Sequence, residues 1–221
     1  MIITLDGPAG AGKSSAARAL AARLGWCYMD TGAMYRAVTL VALDRGIPLE
    51  DAPRLAALAE QIRIEFRAGR VLVDDRDVST EIRTAGITAA TRPVADAPPV
   101  REAMKRIQRR MAEGLDIVTE GRDQGSVVFP HAEVKVFVTA APEERARRRH
   151  REEEARGSGV TLADVLAAQA ARDDGDRCRA VGAMRPADDA VILETDGLTP
   201  EQVVDRLVAL IEARRGSRGP A

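Results

Sequence analysis

Eight consecutive residues near the start of the chain, Gly7-Pro8-Ala9-Gly10-Ala11-Gly12-Lys13-Ser14, match the phosphate-loop pattern G-x-x-x-x-G-K-S/T at every fixed position. Such a loop requires a buried strand before it and a helix opening directly after it, and both are readable. Ile2 to Leu5 is a short apolar run suited to a buried parallel strand. Ala16, Ala17, Leu20, Ala21 and Leu24 recur at helical spacing, and Gly25 supplies a stop signal. Strand, loop and helix together aim backbone N–H groups and a helix N-terminus at one point, where a phosphate can sit. The Lys13 ammonium would reach the β- and γ-phosphates of a nucleoside triphosphate, and the Ser14 hydroxyl would help hold Mg²⁺. Lysine is otherwise scarce: only Lys105 and Lys135 accompany Lys13, while arginine is abundant. A lysine where a compact, flexible charge suits the loop supports this reading.

Further along, Trp26 to Met29 reads as a second short strand, and Thr31 is expected to cap the helix that follows, with Met34, Val38, Val41 and Ala42 on one face. A third helical pattern covers about residues 51–62. The texture then changes. Ile62 to Phe66 alternates with period two, Ala68-Gly69-Arg70 turns, and Val71 to Val73 continues, which predicts a β-hairpin inserted into the core together with polar segments up to Pro98. Pro98-Pro99 opens a helix carrying Val100, Met104, Ile107, Gln108 and Met111. Strands are expected at Ile117–Thr119, Val134–Val138 and Ala190–Leu193, and helices from Pro142 and from Pro200 to Arg215. Pro142 with Glu143 and Glu144 makes a good helix start, and Thr199 and Gln202 stand at capping-box spacing. The tail from Gly216 to Ala221 is expected to fray.

Strands alternating with helices imply an α/β fold with a doubly wound, five-stranded parallel sheet. Ligands of such sheets bind beyond the carboxyl ends of the strands. Three polar clusters fall there: the phosphate loop, Asp30 to Arg36, and Glu120 to Asp123.

Composition removes other classes. With 221 residues, a net charge of −1 and 3% aromatics, the chain has neither a global field for nucleic acid or anionic membrane nor a stacking platform for single strands. The five arginines between Arg145 and Arg151 are matched by acids across 142–182, leaving that stretch neutral. There is no signal-peptide pattern and no apolar run of membrane-spanning length. Cys27 and Cys178 stand far apart without metal or redox spacing, and Cys178 reads as a space-filler. His131 and His150 lack ligand spacing, and Val127-Val128-Phe129 reads as core. A cytoplasmic protein that binds neither nucleic acid nor membrane is expected.

Beyond the loop, chemistry-bearing residues fall in a few strings: DTGAMYR at 30–36, DVSTEIR at 77–83, PPVRE at 98–102, EGRDQGSVVFP at 120–130 and RDDGDRCRAV at 172–181. With GPAGAGKSS at 7–15, these resemble the cytidylate kinase family of nucleoside monophosphate kinases over almost the whole chain. The resemblance implies a core P-loop domain (1–61, 99–143 and 183–221), a monophosphate-binding insert (62–98) and a mobile helical lid (144–182). It implies transfer of the γ-phosphoryl group of ATP to CMP or dCMP with Mg²⁺, by a monomer. On this likeness Gly7 to Ser15, including Pro8, Ala9, Gly10, Ala11, Gly12, Lys13, Ser14 and Ser15, bind ATP. Thr31, Tyr35, Arg36 and Arg122 serve the acceptor, whose phosphate faces Thr31, Arg36 and Arg122. Asp176 takes the ribose hydroxyls, while Arg172 and Arg179 come from the lid to bridge the two phosphates. Lys13, Arg122, Arg172 and Arg179 would carry catalysis.

The base would be read by Arg101 and Asp123. Cytosine offers acceptors at N3 and O2 and a donor at N4, so Asp123 can accept from N4 and Arg101 can donate. Uracil reverses that pattern, and leaving such groups unpaired costs about 1–3 kcal/mol each. The chain departs from the family at two places: Arg92 stands where a base-reading serine is usual, with Thr91 adjacent, and Gly175 stands where some members carry another arginine.

Two rival functions are open on the sequence. One is a related kinase for UMP, AMP or shikimate, against which the Arg101 and Asp123 pair argues. The other is a nucleotide-gated switch or assembly ATPase, but the chain has no N-K-x-D motif and no apolar strand ending in Asp-Glu.

Overall fold

The β-strand before the phosphate loop, β1 (Ile2–Asp6), is the middle strand of its sheet and is buried on both faces from its second residue on. The computed structural model describes residues 1–155 and 157–216; of the tail from Gly216 expected to fray, Gly216 ends the last helix and residues 217–221 lie outside the described ones. The chain forms two compact units, one from Met1–Cys27 and Leu115–Ala221, the other from Tyr28–Gly114.

In the first unit, α1 (Lys13–Leu24) follows the loop. Then β6 (Ile117–Glu120), β7 (Val134–Thr139) and β8 (Val191–Glu194) complete the frame, with α6 (Pro142–Ala155), α7 (Leu162–Arg177) and α8 (Pro200–Gly216) around them. Strand β2 (Cys27–Asp30) joins this parallel sheet, whose order is β2-β6-β1-β7-β8. β1 pairs parallel with β6 (Ile3 opposite Val118) and with β7 (Leu5 opposite Val136), and β7 with β8. The strand order reverses beside β1, which places the loop after β1 at the crevice where open parallel sheets take ligands.

Ile3, Leu5, Val118, Val136 and Val138 make a closely packed interior. The small residues Ala16, Ala17 and Ala21 let α1 lie close to the sheet, with Leu20 filling the space between. On α8, Val203, Val204, Leu207 and Ile211 form the inner face. Thr199 and Gln202 close the expected capping box (2.9 and 3.2 Å). Gly25 ends α1 in the left-handed conformation, as read from the sequence.

The second unit holds α2 (Thr31–Asp44), α3 (Ala52–Gln61), α4 (Ala85–Asp96) and α5 (Pro98–Ala112). It also contains an antiparallel sheet of β3 (Ile64–Arg67), β4 (Arg70–Val73) and the short β5 (Arg76–Asp77). The hairpin follows the predicted period-two pattern. Its two-residue turn puts both Ala68 and Gly69 at positive φ, as a tight hairpin requires.

Three details differ from the sequence reading. Asp30 rather than Thr31 caps α2, accepting from Ala33 N at 2.8 Å, and Thr31 becomes the first helical residue. A carboxylate at the strand end reaches the free amides without a further turn of chain. Cys178 is exposed rather than space-filling, and so is Cys27; both are free thiols. Gln124–Val128, within the string after β6, winds as a π-helical turn. Hydrogen bonds from Gln124 N and Gly125 N to the Asp6 carboxylate (2.8 and 2.7 Å) hold that turn against β1.

Candidate active site

The phosphate loop has the backbone that its glycines allow. Gly7 sits at φ 135, and a Cβ there would lie 2.0 Å from the Val138 carbonyl oxygen, so only glycine lets the loop leave β1 against β7. Gly10 and Gly12 also have positive φ, and Gly12 leads directly into α1. The first residue of that helix, Lys13, is buried and donates from Nζ to the Pro8 carbonyl at 2.7 Å, so its ammonium lies across the loop. Ser14 and Ser15 are exposed in the first turn of α1.

Charge is concentrated beneath the loop. Burial pushes the Lys13 ammonium down to about 7, with nearby Arg122 and Arg172 adding to the effect and Glu120 and Asp6 opposing it. Burial likewise pushes the Asp6 carboxyl up to about 7, against the two amide hydrogen bonds that favour its ionised form; neighbouring Asp123 raises it further. Perturbation of this kind, in groups lying at the end of a sheet, is typical of functional positions. Sequence reasoning passed over Asp6, although its place as the last residue of β1 was a usable signal.

Arginines from separate segments meet on one carboxylate. Arg122, just after β6, donates from Nε to Asp176 Oδ2 at 2.7 Å and from Nη1 to the Gly121 carbonyl at 3.1 Å. Arg179 donates from Nη2 to Asp176 Oδ1 at 2.6 Å. Burial alone would raise the Asp176 carboxyl, but Arg122 and Arg179 hold it below its usual value. Asp123, next to Arg122, is buried, while Arg172 is exposed on α7. Lys13, Arg122, Asp123, Arg172, Asp176 and Arg179, expected to act together, thus lie in one compact unit, and the charges of Arg122 and Arg172 both act on Lys13.

The remaining expected residues lie in the second unit. Asp30, besides capping α2, faces two guanidiniums: Arg36 Nη2 at 3.5 Å and Arg83 Nη2 at 3.8 Å. Thr31 is buried at the start of the same helix. Arg101 is buried on α5, donates to the Ala95 carbonyl at 3.0 Å, and stacks 5.7 Å from the centre of the Tyr35 ring. Tyr35 and Arg101, both expected to bind substrate, are therefore in contact. Of the departures from the family pattern, Arg92 is exposed and pairs with Asp96 at 3.5 Å, and the Thr91 hydroxyl donates to the Ile87 carbonyl of its own helix at 2.6 Å.

For a divalent cation the donor set fits Mg²⁺. The exposed Ser14 hydroxyl stands beside the loop, and among the described residues no group of three or more His, Cys, Asp or Glu side chains is placed to hold a metal alone. Mg²⁺ at nucleotide sites takes few protein oxygens and completes its shell with phosphates and water.

Parallel sheet, glycine loop and buried lysine define a P-loop nucleotide-binding protein. The fold recurs, with a TM-score of 0.54 at 11% identity, in a solved structure described as an uncharacterized protein from Eubacterium ventriosum, over 96% of this chain and 98% of that one. The cytidylate kinase family model matches residues 3–213, and the chain belongs to that family. Among its relatives, a cytidylate kinase of Rhodopirellula baltica is 49% identical, with 96% of this chain and 92% of the relative aligned. A cytidylate kinase of Pelotomaculum thermopropionicum is 46% identical, with 96% of each chain aligned. Among the described residues no helix is long and apolar enough to cross a membrane.

Proposed function

We propose that this protein transfers the γ-phosphoryl group of ATP to CMP or dCMP. An oxygen of the acceptor phosphate attacks the γ-phosphorus, the bond to the bridging oxygen of ADP breaks, and CDP or dCDP and ADP leave. The observation that carries this reading is the joining of Arg122 and Arg179 on Asp176 in the same unit as the buried Lys13. Phosphoryl transfer asks little covalent chemistry of a protein; it asks for alignment and for positive charge around the moving group.

In this account the loop amides of residues 7–15 and Lys13 hold the donor phosphates. Ser14 would hold Mg²⁺, which when bound offsets charge on the donor phosphates. Thr31, Arg36 and Arg122 take the acceptor phosphate, Tyr35 supports the buried Arg101, and Arg101 and Asp123 read the cytosine edge. Asp176 takes the ribose, and Arg172 and Arg179 bridge the phosphates from a lid over 144–182. The insert over 62–98 completes acceptor binding. Closure of the lid excludes water, which would otherwise accept the phosphoryl group. The protein acts as a cytoplasmic monomer.

The test is ADP formation from ATP with and without CMP or dCMP. A strict dependence on the monophosphate supports the proposal. Hydrolysis of ATP at the same rate without any acceptor would instead favour a nucleotide switch or an ATPase.

A further inference from the structure

Three peptide groups of the phosphate loop are held through their carbonyl oxygens. Lys13 Nζ donates to Pro8 O at 2.7 Å. Arg145, on α6, donates from Nη1 to Ala9 O at 2.9 Å. Thr195, just after β8, donates from Oγ1 to Ala11 O at 3.2 Å, its one proton shared with Thr139 O at 3.2 Å. Because the C=O and N–H of a planar trans peptide point in opposite directions, fixing these oxygens fixes the N–H groups of Ala9, Gly10 and Gly12. Those amides belong to the loop read as the phosphate site.

Arg145 is itself held by α7. The same Nη1 donates to Asp173 Oδ2 at 2.7 Å, and Nε donates to Ala140 O at 3.1 Å. Gly10 packs directly on Arg145: a Cβ at Gly10 would come 3.1 Å from the Arg145 Cβ and 3.3 Å from its carbonyl oxygen. One turn further along α6, Arg148 donates to the Thr195 hydroxyl at 3.1 Å and to its carbonyl at 2.8 Å. Thus α6 braces the loop twice, directly through Arg145 and through Thr195 by way of Arg148.

The Arg145–Asp173 pair is a poor device for stability. Both side chains are almost completely buried (4% and 3% exposed), and Asp173 Oδ1 has no hydrogen-bond partner. Two apolar residues of similar volume often stabilise a fold as well as or better than such a pair. What apolar residues cannot do is hold the Ala9 carbonyl.

We propose that Arg145, held by Asp173, is a positioning residue that keeps the phosphate loop in its ATP-binding shape and passes movement of α6 and α7 to it. The proposal rests on the reading of the loop as the ATP site. It applies to ATP and leaves CMP untouched, because none of these contacts involves a residue assigned to CMP.

The test measures the dissociation constants of ATP and CMP separately by calorimetry, together with thermal stability, for Arg145→Met/Asp173→Leu and for Arg145→Lys. The double variant is expected to melt at or above the temperature of the parent while binding ATP about tenfold more weakly and CMP within about twofold. Arg145→Lys, which keeps the charge but loses the forked donor, is expected to show the same selective loss of ATP. Unchanged ATP binding, an equal loss for both nucleotides, or failure of the double variant to fold would each overturn the proposal. Lys13→Ala separates this from the underlying reading: if it binds ATP as tightly as the parent does, the loop is not the ATP site. If Lys13→Ala loses ATP while the Arg145 variants do not, only the positioning role fails.

Discussion

Arg122, at the end of β6, donates through Nε to the Asp176 carboxylate on α7 at 2.7 Å. That one bond ties a core strand to the segment expected to act as lid, and the second carboxylate oxygen adds Arg179. Asp176 thereby sets where two of the proposed phosphate-binding guanidiniums stand. Asp176→Ala is expected to raise KM for CMP about tenfold or more while leaving KM for ATP within about threefold, as steady-state kinetics would measure. Because the folded carboxyl titrates below its unfolded value near 3.8, its stabilising contribution is present above that pH and is lost as pH falls below it. The acid limb of a rate profile near neutrality therefore should not change in this variant.

Removing the loop cation is a cleaner insult. Lys13 contributes one buried amine and one hydrogen bond to the fold, yet it is the charge proposed to meet the transferring phosphate. Lys13→Ala should lower kcat by about a thousandfold or more, with a circular dichroism spectrum and a cooperative melt like those of the parent. Loss of the folded signal would assign Lys13 to structure instead.

Binding of ATP should weaken as pH rises above neutrality. Lys13 is depressed to about 7 and Asp6 raised to about 7. Each lies in the other's field, and whichever proton leaves first, the site becomes more negative with rising pH. Tetra-anionic ATP prefers the protonated pair, so its binding takes up a proton above pH 7. Its affinity should fall towards tenfold per pH unit for one linked proton, and level off below 7. Calorimetry in buffers of different ionisation enthalpy at pH 8 would detect that proton uptake. Its absence would contradict the placement of Lys13 at the phosphates.

A lid over 144–182 should quieten only when it closes. Amide hydrogen exchange there is expected to slow markedly with CMP and a non-hydrolysable ATP analogue together, and little with either alone. Equal protection by ATP alone would place the segment with the donor site and not with closure.

Much of this was legible in the chain because glycine, proline and apolar periodicity act locally. The phosphate loop, the hairpin turning at Ala68 and Gly69, and the capping box of Thr199 and Gln202 depend on neighbours in sequence, and each formed where expected. The cap of α2 was misplaced by one residue because Asp30 and Thr31 are both good caps, and only the path of β2 selects between them. Contacts distant in sequence could not be read. Arg145 gave no sign among five neighbouring arginines that it alone would reach the Ala9 carbonyl. Nor did Asp6 announce that its carboxylate would anchor a π-helical turn after β6. The pairing of Tyr35 with Arg101 likewise depends on how α2 and α5 lie within the second unit.

The role proposed for Asp123 rests on the family resemblance, and the chemistry agrees with it: a carboxylate accepts from the amine of cytosine and is repelled by the carbonyl of uracil. Asp123→Ala should raise KM for CMP about tenfold or more and leave KM for ATP nearly unchanged in the same assay.

The most direct test of the whole account is the rate of ADP formation with MgATP and each of CMP, dCMP, UMP and AMP, compared as kcat/KM. The account predicts that CMP and dCMP exceed UMP and AMP by about a hundredfold or more. Turnover of UMP equal to or faster than that of CMP would contradict it.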